Sequence, residues 1–305
     1  MSNDFTQQII EEFRANDGRV GGPFEDAVLL LLTTVGAKSG KEHTVPLGYL
    51  RDGDRLLVVA SAGGSPRHPA WYHNLLAHPM VRVETGTEAY GAVAVPAAGE
   101  QREKLFQRVV REAPGYADYQ ARTDRELPVV ALERSHTEAG PGEVTTLAGK
   151  LVEIHTWLRG QLRHVRAEAA AYFAERDAHQ GPDGAPAPGL GLQLRQHCLA
   201  FCEALHGHHA SEDTVAFPEL ERQHPHLRES LERLRGEHRT VARIQGELQA
   251  LLADIAAAEA SGFRAELERM SAELEAHLDY EEESLIPVLA DIPLPPASGQ
   301  EEPAG

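Results

Sequence analysis

Cysteine is almost missing from this chain: Cys198 and Cys202 are the two present in 305 residues. That count excludes a secreted disulfide framework, and two cysteines four apart on a helix stack one turn apart, a poor geometry for a bridge. Long apolar runs are also missing. The longest, near Ala27–Leu32, is much too short to cross a bilayer, so no integral membrane segment is expected. Met1-Ser2-Asn3-Asp4-Phe5 has neither the basic nor the apolar stretch of a signal peptide. Positive charge is scarce: 29 Lys and Arg stand against 47 Asp and Glu, a formal net charge of −18. Nucleic acids and anionic membranes are bound through basic faces, so neither is an expected partner. Together these absences describe a protein of a reducing compartment, the cytoplasm.

What is present is ordinary globular material, with 42% hydrophobic and 25% charged residues in a length suited to two domains. As far as Glu133 the pattern is of short strands and tight turns. Strands are predicted at Val28–Thr34, Val45–Leu50, Arg55–Ser61, Met80–Glu84, Tyr90–Val95 and Pro128–Leu132. Arg51-Asp52-Gly53-Asp54 is a hairpin turn, and Thr85-Gly86-Thr87 joins another pair. Short helices are predicted at Trp71–Ala77 and Glu100–Glu112, and the set suggests a small barrel or sandwich. After a polar stretch containing Gly140-Pro141-Gly142 the character changes. Leu151–His179, Leu190–Gln223, Pro225–Glu259 and Gly262–Ala290 read as long helices, with a Pro/Gly/Ala loop at Gly181–Gly189. Apolar residues at spacings of three and four imply an antiparallel four-helix bundle. The predicted division is a domain over 1–134, a linker over 135–149, a helical domain over 150–292 and a tail over 293–305.

Histidine is concentrated where a helical domain least needs it, with eleven of sixteen from His155 onward. Their spacing is more telling. His208 and Glu212 are four apart, and His277 stands four before Glu281 and five before Glu282. Four residues turn a helix by roughly 400° and rise about 6 Å, so such a pair shares a face. His155 and His238 add an imidazole from each remaining long helix. Imidazole with carboxylate suits iron, zinc or manganese, and bridging carboxylates suit a pair of irons. Any one histidine is more often a surface or satisfied core residue, but two His-x-x-x-Glu pairs on separate helices favour a metal.

Two stretches carry a resemblance: His208-His209-Ala210-Ser211-Glu212-Asp213 with Phe217-Pro218, and His277-Leu278-Asp279-Tyr280-Glu281-Glu282 with Ile286-Pro287. Over about 150–292 the chain resembles the hemerythrin-like, cation-binding helical family. The resemblance implies a non-haem diiron centre, with His155, His208, His238 and His277 as terminal ligands and Glu212 with Glu281 or Glu282 as bridges. Dioxygen is the small molecule it implies at such a centre. The pattern departs from the oxygen carriers at one point. They place a second histidine one turn from that of the third helix, where this chain has Leu234 and Ala242. His209 is read as an outer neighbour of the site, and His164, His197 and His206 as structural or surface residues.

In the first half the loops say more than the strands. Gly36-Ala37-Lys38-Ser39-Gly40-Lys41 is a glycine-bounded turn whose amides and lysines can hold a phosphate or carboxylate. Ser61-Ala62-Gly63-Gly64 leads into His68-Pro69-Ala70-Trp71-Tyr72-His73-Asn74-Leu75, where an aromatic pair can stack on a flat ring. With Leu32–Gly40, Pro46-Leu47 and Pro114-Gly115-Tyr116-Ala117-Asp118-Tyr119-Gln120, these segments resemble the deazaflavin-dependent nitroreductase family over about residues 5–134. That resemblance implies a split β-barrel binding the reduced deazaflavin coenzyme F-420, with a quinone, nitro compound or related acceptor. It assigns Lys38, Ser39, Lys41, His43, Pro46, Ser61, Gly63, Gly64, Trp71 and Asn74 to the cofactor. Tyr116 and Tyr119 would close over the acceptor. His43 stands where the family has a basic residue.

The expected fold class is thus α+β, a split β-barrel followed by an antiparallel four-helix bundle. Three functional readings stay open. One is an F-420-dependent oxidoreductase fused to a diiron domain. The second is an iron- or oxygen-binding or sensing protein with a non-catalytic barrel, and the third puts FMN in the barrel.

Overall fold

The computed structural model describes residues 3–25, 27–86, 88–135, 145–178, 188–253, 255 and 258–293. Most of the predicted linker and tail, most of the Pro/Gly/Ala loop expected at Gly181–Gly189, and Thr87 lie outside the described residues. The chain divides into two compact units. One comprises 1–138, 165–204 and 252–258; the other comprises 139–164, 205–251 and 259–305.

In the first unit six antiparallel strands close a barrel in the order β1-β2-β3-β6-β5-β4. They are β1 Leu29–Val35, β2 Glu42–Asp52, β3 Arg55–Val59, β4 Met80–Thr85, β5 Glu88–Pro96 and β6 Val129–Arg134. Leu30 pairs with Leu47 and Leu32 with Val45. The Leu29–Leu32 run is explained by burial on both faces. Leu30 and Leu32 point into the barrel with Leu56, Val58, Val130 and Leu132. Leu29 and Leu31 point outward, under Ile9, Ile10 and Phe13 of helix α1, Asn3–Ala15. Strands β3 and β6 split the same way. Leu57, Val59, Val129 and Ala131 lie beneath Phe106 and Val109 of α3, Gly99–Glu112. The outer face of β5 carries Val93 and Val95 against Ala200. Two short helices complete the loops, α2 at Ala70–Ala77 and α4 at Gly115–Ala121. Neither α1 nor α4 was expected from the apolar spacing, since α1 has only three residues, Ile9, Ile10 and Phe13, to bury.

The long helices are α5 Leu147–Ala178, α6 Pro188–Ser211, α8 Arg228–Ala253 and α9 Ala260–Leu289. The predicted second helix, Leu190–Gln223, is not one uniform rod. After Ser211 the chain makes a π turn, Glu212–Ala216, and continues as α7, Phe217–Gln223. The Phe217 amide donates to the Glu212 carbonyl, the wide bond of a π turn, and the Thr214 hydroxyl donates to the Ala210 carbonyl at 2.6 Å. Such single turns insert one residue into an α-helix and often mark functional sites.

Candidate functional site

Among the described residues, two places bring together side chains that the sequence marks as site candidates. The first is a barrel cavity of 1070 Å³. The β1–β2 turn contributes Lys38 and Ser39, β2 contributes Glu42, His43 and Thr44, and α2 contributes Trp71, His73 and Asn74. Helix α1 supplies a wall through Gln7, Ile10 and Arg14. The turn is shaped by its own backbone: the Gly36 amide donates to Lys41 and the Gly40 amide to Gly36, both at 2.8 Å. Gly40 has φ +63°, a conformation that favours glycine. Asn74 pins the turn to α2, accepting from the Ala37 amide at 3.1 Å and donating to the Thr34 hydroxyl at 3.1 Å. Its amide is therefore committed to shaping the cavity. Arg14 forms a bidentate pair with Glu84 at 2.8 and 2.6 Å, and that hydrogen bonding holds the Glu84 carboxyl below its ordinary range.

The other residues expected at the cofactor lie elsewhere. Lys41 is exposed and does not line the cavity. Pro46 sits in the β1–β2 ladder opposite Leu31. Ser61, Gly63 and Gly64 belong to a loop gathered by Arg125, which donates to the carbonyls of Ala60 at 3.1 Å, Ser61 at 2.8 Å and Ser65 at 2.8 Å. Gly64, at φ +82°, lies so near α4 that a Cβ would come within 2.8 Å of the Tyr119 carbonyl. Tyr119 packs edge-on to Tyr116, with ring centroids 5.8 Å apart. Tyr116 lines a second cavity, of 490 Å³, with Gly48, Tyr49 and Arg51. Burial raises the Tyr116 hydroxyl above its ordinary value, so it stays protonated near neutral pH. Tyr49 was missed by the sequence reading; its alternation along β2 was the available signal.

The second place is a cluster inside the second unit. The donor atoms of His155, His208, Glu212 and Glu281 lie within 4.8 Å of one another, and so do those of His209, His238 and His277. The two carboxylates join the sets. Glu212 reaches His208 Nε2 with one oxygen at 3.2 Å and His238 Nε2 with the other at 3.5 Å. Glu281 Oε2 lies 3.5 Å from both His155 Nε2 and His277 Nε2. The Nε2 atoms of His155 and His208 approach to 3.2 Å. Two nitrogens bound at right angles to one metal, each at about 2.1 Å, are spaced at about 3 Å.

Carboxylates outside the cluster orient its rings. His155 Nδ1 bonds to Glu282 at 2.9 Å, His238 Nδ1 to Asp213 at 2.9 Å and His277 Nδ1 to Glu237 at 3.1 Å. Each bond turns an Nε2 lone pair inward, the usual arrangement behind a metal-binding imidazole. Glu282 thus stands behind His155, where it also pairs with Arg159 at 2.6 Å, and is not in either inner set. Asp213 and Glu237 were missed, although each is adjacent in sequence to an expected ligand.

Burial favours neutral imidazoles. It drives His208 down to about 3, and lowers His209 and His238 as well. Burial and the neighbouring Glu281 push Glu212 well above the ordinary carboxylate range. At Glu281 burial acts in the same sense, but the nearby imidazoles of His155 and His208 outweigh it and hold that carboxyl low. The His209, His238 and His277 Nε2 atoms, both Glu281 oxygens and Glu212 Oε2 are buried with no hydrogen-bond partner. Buried polar atoms left so are costly, and their convergence fits a cation.

The F420H(2)-dependent quinone reductase family model matches residues 6–134, and the hemerythrin HHE cation binding domain model matches 146–289. An F420H(2)-dependent quinone reductase of Mycobacterium tuberculosis is 44% identical over 127 residues, covering 40% of this chain and 85% of that protein. A protein of Mycobacterium bovis matches to the same extent. A solved structure described as an F420-H2 dependent reductase is 42% identical and covers 35% of this chain and 94% of that one, with a TM-score of 0.33. Among the described residues no helix is long and apolar enough to cross a membrane.

Proposed function

The chain belongs to the F420H(2)-dependent quinone reductase family by its barrel and carries a hemerythrin HHE cation binding domain, and from that membership we propose a coenzyme F-420-dependent quinone reductase joined to a diiron-binding bundle. The domain boundaries proposed are 1–134 and 150–292. The barrel reading is carried by the 1070 Å³ cavity with Lys38 at its rim and Trp71 in its wall. Lys38 suits the anionic end of F-420, and Trp71, 6% exposed and packed in the barrel core, shapes the wall beside it. Bound F-420 in its reduced form supplies a hydride. A quinone gains a hydride and a proton, and the Tyr116 hydroxyl, which burial keeps protonated, would donate a hydrogen bond to a quinone carbonyl. A nitro compound is the alternative acceptor.

The bundle reading is carried by the convergent unpartnered atoms of the cluster. His155 and His208 would hold one iron, His238 and His277 the other, and Glu212 and Glu281 would bridge them. This donor set of imidazoles and carboxylates suits iron. Dioxygen is the proposed small molecule at that centre. A cytoplasmic setting is part of the same proposal, in keeping with a sequence that has only two cysteines.

Purification of the full chain from an F-420-producing host, with an absorption spectrum and metal analysis, tests both halves. The expected result is a deazaflavin chromophore that is bleached in its reduced form and recovers its absorption when a quinone oxidises it, with about two irons per chain. Tight FMN binding without F-420 binding would turn the barrel to the FMN reading. Iron with no cofactor bound would leave the binding or sensing protein.

A further inference from the structure

We infer that His209 is itself a metal ligand, the third imidazole at the position held by His238 and His277, so that one helix serves both metals. This rests on the diiron reading above.

The argument begins with helix geometry. Residues of an α-helix are rotated by about 100° from one to the next. Taking His208 as zero, His209 stands at about 100° and Glu212 at about 400°, or 40° after a full turn. Glu212 therefore projects between the two histidines, one turn along. A bridging carboxylate needs that position if each histidine serves its own metal. The distances agree, for Glu212 touches His208 in one set and His238 in the other.

His209 has the surroundings of a ligand. It is 5% exposed, and its Nε2 has no hydrogen-bond partner. Its ring stacks on His238 with centroids 4.0 Å apart and planes 12° apart, and meets His277 edge-on at 5.0 Å. A packing histidine would use both ring nitrogens or leave the wet side exposed. Three imidazoles converging with unpartnered Nε2 atoms require something else at their centre.

The same region shows why the third helix supplies one histidine rather than two. Leu234, one turn before His238, is fully buried and shares an apolar cluster with Phe217. Phe217 stacks on His238 at 5.5 Å and 19°. It is delivered there by the π turn that starts at Glu212. Apolar packing occupies the place of the missing imidazole, and His209 replaces it from the second helix. The resulting pattern, His-His-x-x-Glu, contains a terminal ligand for each metal and a bridge within five residues.

The test uses the full chain, loaded with ferrous iron and reoxidised, with iron counted per chain and Mössbauer spectra recorded. Wild type should hold about two irons. His209→Ala should fall to about one, with the signal of one site lost or altered, while exposed His206→Ala keeps the wild-type content and spectrum. Circular dichroism reports folding, and His209→Gln, close in size but a poor iron ligand, decides the matter should the alanine variant lose helicity. Two irons with an unchanged spectrum in both His209 variants would overturn the inference and leave the diiron reading intact. Iron-free wild type would overturn both.

Discussion

Buried histidine plays two distinct parts in this chain. His197 is 3% exposed, and both its ring nitrogens are engaged, Nδ1 with Glu168 at 2.8 Å and Nε2 with Glu133 at 3.1 Å. Burial acts against its charged form, but the bonds to Glu133 and Glu168 outweigh it and raise the imidazolium to about 9. The cluster histidines are as deeply placed, yet His209, His238 and His277 each leave Nε2 without a hydrogen-bond partner. Here burial wins, and His208 is lowered to about 3. Burial and neighbouring carboxylates are common to both places. What separates them is whether the second nitrogen is satisfied. With two carboxylate partners the ring is a charged clamp between β6 and the helices. Where Nε2 has no such partner, as at His209 and His238, burial lowers the ring and its lone pair stays available to a metal.

The largest expected effect separates the two directly. Glu281→Ala removes an oxygen that touches both sets of the cluster and should abolish iron binding, lowering affinity by more than about a hundredfold. His197→Gln should leave iron at the wild-type level. Metal analysis of the two variants side by side checks this, and iron loss in the glutamine variant would break the distinction.

Next in size is the pH dependence of the clamp. The folded value near 9 lies above the ordinary 6.5. The clamp's contribution is therefore complete below pH 6.5, declines as pH rises and is gone above about 9. Its full span is of the order of 3 kcal/mol. Urea unfolding of wild type should show stability falling across that window, and His197→Gln should flatten the profile. A profile of the same slope in the variant would mean that His197 is not charged.

A smaller effect is expected from the outer carboxylates. Glu237→Gln keeps a partner for His277 Nδ1 but removes its charge, and iron affinity should drop by roughly tenfold, within the range for such neighbours. Competition against a chelator measures it. An effect equal to that of Glu281→Ala would place Glu237 among the ligands.

The sequence displays these sites unevenly. The His-x-x-x-Glu pairs were legible because helical spacing converts directly into a shared face, and the same holds for the barrel strands, whose apolar runs mark burial on both sides. His209 was not legible as part of the inner set. A 100° rotation from His208 points away from that histidine's partners, and what lies in the new direction, His238 and His277, is known only from the fold. Glu281 and Glu282 could not be separated by spacing alone, since a π turn or a small helix rotation exchanges them. The barrel cavity was legible at Lys38 and Trp71, on the turn and helix that form its walls. It was not at Gln7 or Arg14, because α1 is brought over the cavity by packing on Leu29 and Leu31. Ser61, Gly63 and Gly64 look like a ligand loop in one dimension, but Arg125, about sixty residues away, accounts for its carbonyls.

The smallest effect contrasts the open cavity with the closed cluster. Lys38 lines the cavity from an exposed turn, whereas Lys41, three residues on, does not. An exposed ammonium facing an anion contributes about 0.2–1 kcal/mol, so Lys38→Ala should weaken F-420 binding by no more than roughly fivefold. Raising the salt from low concentration to about 0.5 M should remove most of that difference, because screening then acts over a few ångströms. Lys41→Ala should change affinity less at every salt concentration. Iron binding, inside a cluster whose Glu281 is fully buried, should scarcely respond to the same salt. Fluorescence titration of F-420 against the two variants at two ionic strengths measures this. Equal losses for Lys38→Ala and Lys41→Ala would mean that the cofactor's anionic end lies over the whole turn rather than in the cavity, and a loss at Lys38 that salt leaves unchanged would mean that its contact is shielded from solvent.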